Sequence, residues 1–179
     1  MKLFLIRHGE SEANVAGRIN DDPSRQVNLT ERGRAQAKAA AEKLHAVRFT
    51  RAYVSEFPRA RQTAMILLRH HTCPLYIDAR INERRTGMDW QPVEAFHGLV
   101  HPDPLHIRPK QGESFLEQME RLRSFLDEIA ACRKDETVLA VSHENPILAA
   151  VALTVDDPVE TARGSIGNCE WIELEWPAG

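Results

Sequence analysis

Two histidines and two arginines in this sequence stand where chemistry on an anion would need them. His8 lies between Arg7 and Gly9, directly after the apolar run Leu3-Phe4-Leu5-Ile6, and His143 lies just beyond a second run, Val138-Leu139-Ala140-Val141. Arg59 comes shortly after a third, Ala52-Tyr53-Val54, next to Pro58. Short apolar runs of this kind form buried strands, so each side chain is predicted where a strand leaves the core. Open α/β sheets bind their ligands at that carboxyl edge. If the strands are parallel and adjacent, Arg7, His8, Arg59 and His143 converge there. An imidazole beside a guanidinium suits attack on an anionic centre. Arg7 attracts the anion and disfavours protonation of His8, which leaves a ring nitrogen free as a nucleophile. Gly9 is read as letting another group approach closely.

Phosphoryl transfer asks for these parts: a nucleophile, cations around the equatorial oxygens, and an acid for the leaving oxygen. Backbone amides at the helix start that carries Arg59 favour anions as well.

The elements that must position these groups alternate along the chain. A long loop, residues 8–29, follows the first strand, and its Asn20-Asp21-Asp22-Pro23-Ser24 reads as turns. Thr30 is a helix cap for a segment running to about Ala46, rich in Ala, Lys and Glu. After the strand at 52–54, Pro58 suits the first turn of a helix reaching about His70. Leu75-Tyr76-Ile77 is a short third strand. Residues 80–112, with Gly87, Pro92, Gly98, Pro102, Pro104 and Pro109, are expected to be irregular. Phe115, Leu116, Met119, Leu122, Leu126 and Ile129 have the spacing of one buried helix face. The 138–141 strand, a helix including Pro146 near its start, and a last strand at 171–174 complete the pattern. Such alternation predicts an α/β fold with a mostly parallel central sheet and helices on both faces.

At 179 residues, 42% hydrophobic and 27% charged, the chain fits one soluble globular domain spanning 1–179. Cys73, Cys132 and Cys169 are too far apart for a disulfide framework or metal motif, which favours a reducing compartment. The first apolar run breaks at Arg7-His8, too soon for a secretory signal, and no stretch approaches membrane-spanning length. A cytoplasmic protein without a membrane partner is expected. Residues 1–85 hold 16 Lys or Arg against 9 Asp or Glu, whereas residues 86–179 hold 7 against 17. Arginines in the first half cluster in predicted loops, where sites form. That pattern fits a small anionic substrate better than nucleic acid, which would favour a basic domain with stacking aromatics. His97 and His101 stand four apart, but Pro102 and the lack of a third ligand weigh against a metal site.

Several stretches, in one order, resemble the histidine phosphatase superfamily, which includes the cofactor-dependent phosphoglycerate mutases. They are Arg7-His8-Gly9-Glu10 with Asn14, Asn28-Leu29-Thr30-Glu31-Arg32-Gly33, and Ser55 with Arg59-Ala60-Arg61-Gln62-Thr63-Ala64. Ile81-Asn82-Glu83, Gly112-Glu113-Ser114 and Val141-Ser142-His143 follow. The resemblance implies a three-layer α/β/α fold and phosphorylation of His8 during turnover. It implies that Arg7, Arg59 and His143, with Asn14, hold the phosphoryl oxygens, and that Glu83 protonates the leaving oxygen and then deprotonates water. Such an acid needs a pKa raised above the roughly 4.3 of a free Glu; Glu10 and Asp89 are its competitors for the role. No cofactor or metal is implied, because guanidinium and imidazolium groups supply the positive charge.

The segment Ile81-Asn82-Glu83-Arg84-Arg85-Thr86-Gly87 is similar to the substrate loop of the mutases, and Arg84 and Arg85 are either a solvated cluster or contacts to a second anionic group. Yet only 28 residues separate Glu83 from Gly112, where mutases carry a much longer lid. Without a lid, water reaches the phosphohistidine, so a metal-independent phosphomonoester hydrolase of the phosphatase branch is favoured. Mutase-type transfer, a protein phosphohistidine phosphatase and a non-catalytic phospholigand binder are the alternatives. Two departures stand out: Glu144 follows His143 where the family commonly has glycine, and Glu56-Phe57-Pro58 is unusual before Arg59.

Overall fold

Strand residues divide by parity between two cores. In β1 (Lys2–Arg7), Leu3 and Leu5 join one buried cluster while Phe4 and Ile6 join another. Period-two alternation with apolar residues on both faces requires both faces to be covered. The computed structural model describes residues 1–132 and 136–177, apart from the Cys132 side chain. After β1 come α1 (Glu12–Ala16), α2 (Glu31–Leu44), β2 (Arg51–Val54), α3 (Pro58–Leu67), β3 (Leu75–Ile77) and α4 (Val93–Val100). Then follow α5 (Phe115–Cys132), β4 (Thr137–Ser142), α6 (Glu144–Ala152), α7 (Val159–Ala162) and β5 (Trp171–Glu175). The strands lie in the order β3-β2-β4-β1-β5, parallel except for β5, which runs antiparallel to β1. Helices α5 and α6 share a core with one face, and α2 and α3 share one with the other. The expected three-layer α/β/α architecture is observed.

β1 and β4 are neighbours in register, Arg7 beside Ser142, so His8 and His143 leave the sheet side by side. β2 lies on the other side of β4 and delivers Ser55 and α3 to the same edge. Thr30 caps α2 as expected, its hydroxyl accepting the Gly33 N–H at 3.0 Å. Proline occupies the first turn of α3.

Two expectations of irregularity fail. The long loop contains α1, closed by a capping box in which Ser11 and Asn14 bond reciprocally. The 80–112 segment contains α4, which starts just after Pro92, a residue suited to a helix entrance. Phe96 and Val100 form a third, small core with Ile19, and that contact makes the eight-residue helix stable despite Gly98. Cys73 and Cys169 are free thiols; the Cys132 side chain lies outside the described residues. No described helix is long and apolar enough to cross a membrane.

The glycines beside His8 and on α2 serve each other. A Cβ at Gly9 would overlap the Gly33 carbonyl, and a Cβ at Gly33 would overlap the Glu10 carbonyl. What approaches Gly9 closely is therefore α2. Gly33→Ala is expected to cost roughly 1–3 kcal/mol by overpacking. Gly98→Ala, with open space around its Cβ, is expected to stabilise by about 0.5–1 kcal/mol. Urea unfolding midpoints of the two variants check both signs.

Candidate active site

At the carboxyl edge the catalytic candidates are wired to one another through Arg59. The His8 backbone N–H continues the sheet to the Ser142 carbonyl at 3.0 Å. Its ring Nδ1 lies 2.7 Å from the Gly9 carbonyl, which only accepts, so Nδ1 carries the proton and Nε2 keeps a lone pair. Arg59 Nε donates to that lone pair at 3.0 Å. Arg59 Nη2 donates to His143 Nδ1 at 3.2 Å, which puts the His143 proton on Nε2, facing Ser55 Oγ at 2.8 Å. The two imidazoles lie 5.0 Å apart, centre to centre. Burial holds both well below the usual histidine range, and the Arg59 charge adds to it. The neutrality of His8 thus comes from burial and Arg59 more than from Arg7.

Arg59 is itself buried, and two features hold it. Asn20 accepts from Nη1 through its side chain and from Nη2 through its carbonyl, and the Phe57 ring lies 4.4 Å below. Phe57 also meets His143 edge-on at 4.7 Å. Thr63, one turn along α3, donates to the Arg59 carbonyl at 2.8 Å and accepts the Gly9 N–H at 3.1 Å. The unusual Glu56 bonds reciprocally with Asn82, side chain to side chain and backbone to side chain, and so fixes the residue before Glu83.

These groups border a cleft of about 320 Å³ lined by Arg7, His8, Asn14, Arg59, Glu83 and Arg84, with Glu144 and Asn145 also on its wall. Glu83 Oε1 accepts the Arg84 N–H at 2.8 Å and the Asn145 amide at 3.2 Å, and burial pushes its pKa up. Glu10 is engaged by Thr30 and Arg32, and Asp89 by Arg25 and the backbone of Asp21; neither lines the cleft. Of the three carboxyls weighed as acid, Glu83 alone faces it. Asn14 presents only its amide nitrogen, because its oxygen closes the α1 capping box. Arg7 donates to Glu144 at 3.1 Å and to the Ile166 carbonyl. His143 is fully buried behind Arg59 and does not line the cleft.

The two arginines after Glu83 part company. Arg84 is buried between the Phe96 and Phe115 rings, with its donors toward the Glu113 and Ile107 carbonyls. Arg85 does not line the cleft, contrary to the reading of a second substrate contact: it is exposed and ion-paired with Glu113 at 3.0 Å. Sequence reading missed the roles of Asn20 and Asn145, which hold the side chains of Arg59 and Glu83, and of Thr63, which joins the backbone of Gly9 to that of Arg59. An open groove of about 530 Å³ between α6 and β5 shares no residue with the cleft. Among the described residues no group of three or more His, Cys, Asp or Glu is placed to hold a metal.

A model of the histidine phosphatase superfamily (branch 1) matches residues 3–179. The chain belongs to that superfamily. It is 32% identical over 168 residues to the adenosylcobalamin/α-ribazole phosphatase of Salmonella typhimurium, covering 88% of this chain and 81% of the relative. It is 30% identical over 200 aligned positions to the glucosyl-3-phosphoglycerate phosphatase of Mycobacterium tuberculosis, covering 99% and 87%. The solved structure of a mycobacterial glucosyl-3-phosphoglycerate phosphatase in complex with VO3 superposes with a TM-score of 0.85 at 27% identity, covering 97% of this chain and 92% of the other.

The depressed histidine pKa values carry a stability signature. An unfolded histidine binds a proton below about 6.5, while buried His8 and His143 do not, so the unfolded state gains protons as pH falls. Stability is expected to fall below pH 6.5 by up to about 1.4 kcal/mol per pH unit for each of them. Glu83, raised in the fold, has the opposite sign: its contribution is full in acid and is lost as pH rises through its folded pKa. Urea titrations between pH 5 and 8 measure the sum. Ring ¹⁵N spectra of His8 should show a protonated Nδ1 and a bare Nε2 across that range.

Proposed function

We propose that this protein is a metal-independent phosphomonoester hydrolase that works through a phosphohistidine on His8, with a small phosphorylated molecule as substrate. The observation that carries the reading is the bare Nε2 of a buried, neutral imidazole, oriented by the Gly9 carbonyl and faced by a guanidinium. Relatives named as phosphatases, aligned over most of this chain, support the class of reaction.

Nε2 attacks phosphorus as the ester P–O bond breaks, and Glu83 gives its proton to the departing oxygen. Water then attacks phosphohistidine, Glu83 takes back a proton, and the P–N bond breaks to release phosphate. The first step needs a protonated carboxyl, and burial shifts the Glu83 pKa in that direction. The Gly9 carbonyl, accepting from Nδ1, offsets the positive charge that the ring acquires on phosphorylation. Arg7, Arg59 and the Asn14 amide hold the phosphoryl oxygens, and Arg84 lies on the leaving-group side. His143, expected from the sequence to touch the phosphoryl group, instead positions Arg59 from behind through its Nδ1 lone pair. Hydrolysis is favoured over return transfer because the 28 residues between Glu83 and Gly112 are taken up by α4 and its packed connections, too few for a mutase-like lid.

Turnover of phosphomonoesters is expected to survive EDTA and to vanish in His8→Ala. Glu83→Gln is expected to lower kcat by about 10²–10⁴-fold while phosphate still binds. Activity abolished by chelation, or full activity in Glu83→Gln at neutral pH, would contradict the assignment.

A further inference from the structure

The cleft does not end at the phosphate position. It continues into a second cavity of about 480 Å³, and Arg84, Phe96, His97, Glu144 and Asn145 line both. An alcohol leaving phosphorus must lie across that junction. On its farther wall Val100, Pro104, Leu148 and Ala162 stand beside His101, Arg163 and Ser165.

Glu144 is the ionised group at the junction that a substrate can meet. Its Oε1 accepts from Arg7 and from the Ile166 N–H, each at 3.1 Å, and these bonds hold the carboxylate at the junction. Its Oε2 has no partner among the described residues, and the side chain keeps 28% of its surface exposed. The opposing cation, Arg84, is 2% exposed and turned to backbone carbonyls. Arg163, on the far wall, is paired with Glu160. Glu144 also stands next to Asn145, the residue that holds Glu83, which places it close to the ester oxygen.

Building on the hydrolase reading, we propose that Glu144 is a specificity-determining residue that selects phosphomonoesters whose alcohol carries no negative charge near the ester oxygen. The device is repulsive: a carboxylate on the alcohol meets a fixed carboxylate in a partly dehydrated junction. Alcohols bearing hydroxyl groups instead find an acceptor in Oε2.

Glycerol 3-phosphate and 3-phosphoglycerate form a near-isosteric pair that differs in this charge. The wild-type protein is expected to favour glycerol 3-phosphate in kcat/KM, and Glu144→Gln to shrink that preference by roughly tenfold. The glutamine keeps an acceptor for the Ile166 N–H and Arg7. A role confined to positioning Arg7 would change both esters by the same factor, leaving the ratio fixed. A fixed ratio, or a wild-type preference for 3-phosphoglycerate, overturns the proposal while leaving the hydrolase reading intact. If neither ester is hydrolysed, calorimetric Kd values for both proteins give the same ratio. Equal or undetectable binding then overturns the proposal, independently of the chemistry.

Discussion

The site depends on one buried guanidinium. Burying a charge is costly unless its hydrogen bonds are made, and Arg59 makes them with two imidazole nitrogens and two oxygens of Asn20. Those bonds decide more than the position of Arg59. Because a guanidinium only donates, both histidines must accept from it, which sets the tautomer of His143 and agrees with that of His8. Its charge helps keep both rings neutral. It also demands that Asn20 be held, which Asp89 does directly while the neighbouring Asp21 anchors the same loop. Asp89 accepts from the Asn20 amide and the Asp21 N–H, while Asp21 takes the Thr86 and Gly87 N–H groups. The loop after Glu83 is thereby tied to the loop that holds Arg59.

Backbone proximity supplies the rest of the precision. Ser142 donates to the Ile81 carbonyl at 2.7 Å, linking the strand before His143 to the turn before Glu83. Thr63 joins the Gly9 amide to α3. Helices α2 and α3 present Ala37, Ala40, Ala41, Ala60 and Ala64 to the core, and small side chains let helices pack close. With Gly9 and Gly33 in mutual contact, the loop bearing His8 is clamped between sheet and helix. His8, the proposed nucleophile, thus sits on a loop held at several points by backbone and packing contacts.

Sequence patterns revealed the parts that depend on strand ends. Apolar runs stopping at His8, His143 and Ser55 were legible because burial imposes a composition on central strands. The short helix α4 was hidden by Gly98 and flanking prolines, since its stability comes from the contact of Phe96 and Val100 with Ile19, far away in sequence. Arg84 and Arg85 are adjacent and chemically identical, so composition could not tell that one is buried between rings and the other pairs with Glu113. Asn20 sits in a run that reads as turns, and nothing local marks it as a ligand of Arg59. Glu144 was visible as an oddity next to His143, but whether it pointed into the pocket depended on Ile166 and Arg7, which only the fold brings to it.

The same bonds that order the empty site must be exchanged during the proposed reaction. The His8 lone pair needed for attack is covered by Arg59 Nε, and the His143 acceptor by Arg59 Nη2. A phosphoryl dianion offers Arg59 charge-assisted bonds, about twice as strong as neutral ones. Turning to it would uncover both imidazole nitrogens in the same movement. The nucleophile is thus protected by the cation that later stabilises its target, and it becomes available when a phosphoryl group arrives. Arg7 follows the same logic with a stronger internal partner, the Glu144 carboxylate. Phosphate must share Arg7 with that carboxylate rather than displace it. The residue that tempers Arg7 and the residue proposed to face the leaving alcohol are therefore one and the same, and on that proposal affinity for the phosphoryl group and choice of alcohol are coupled through Glu144.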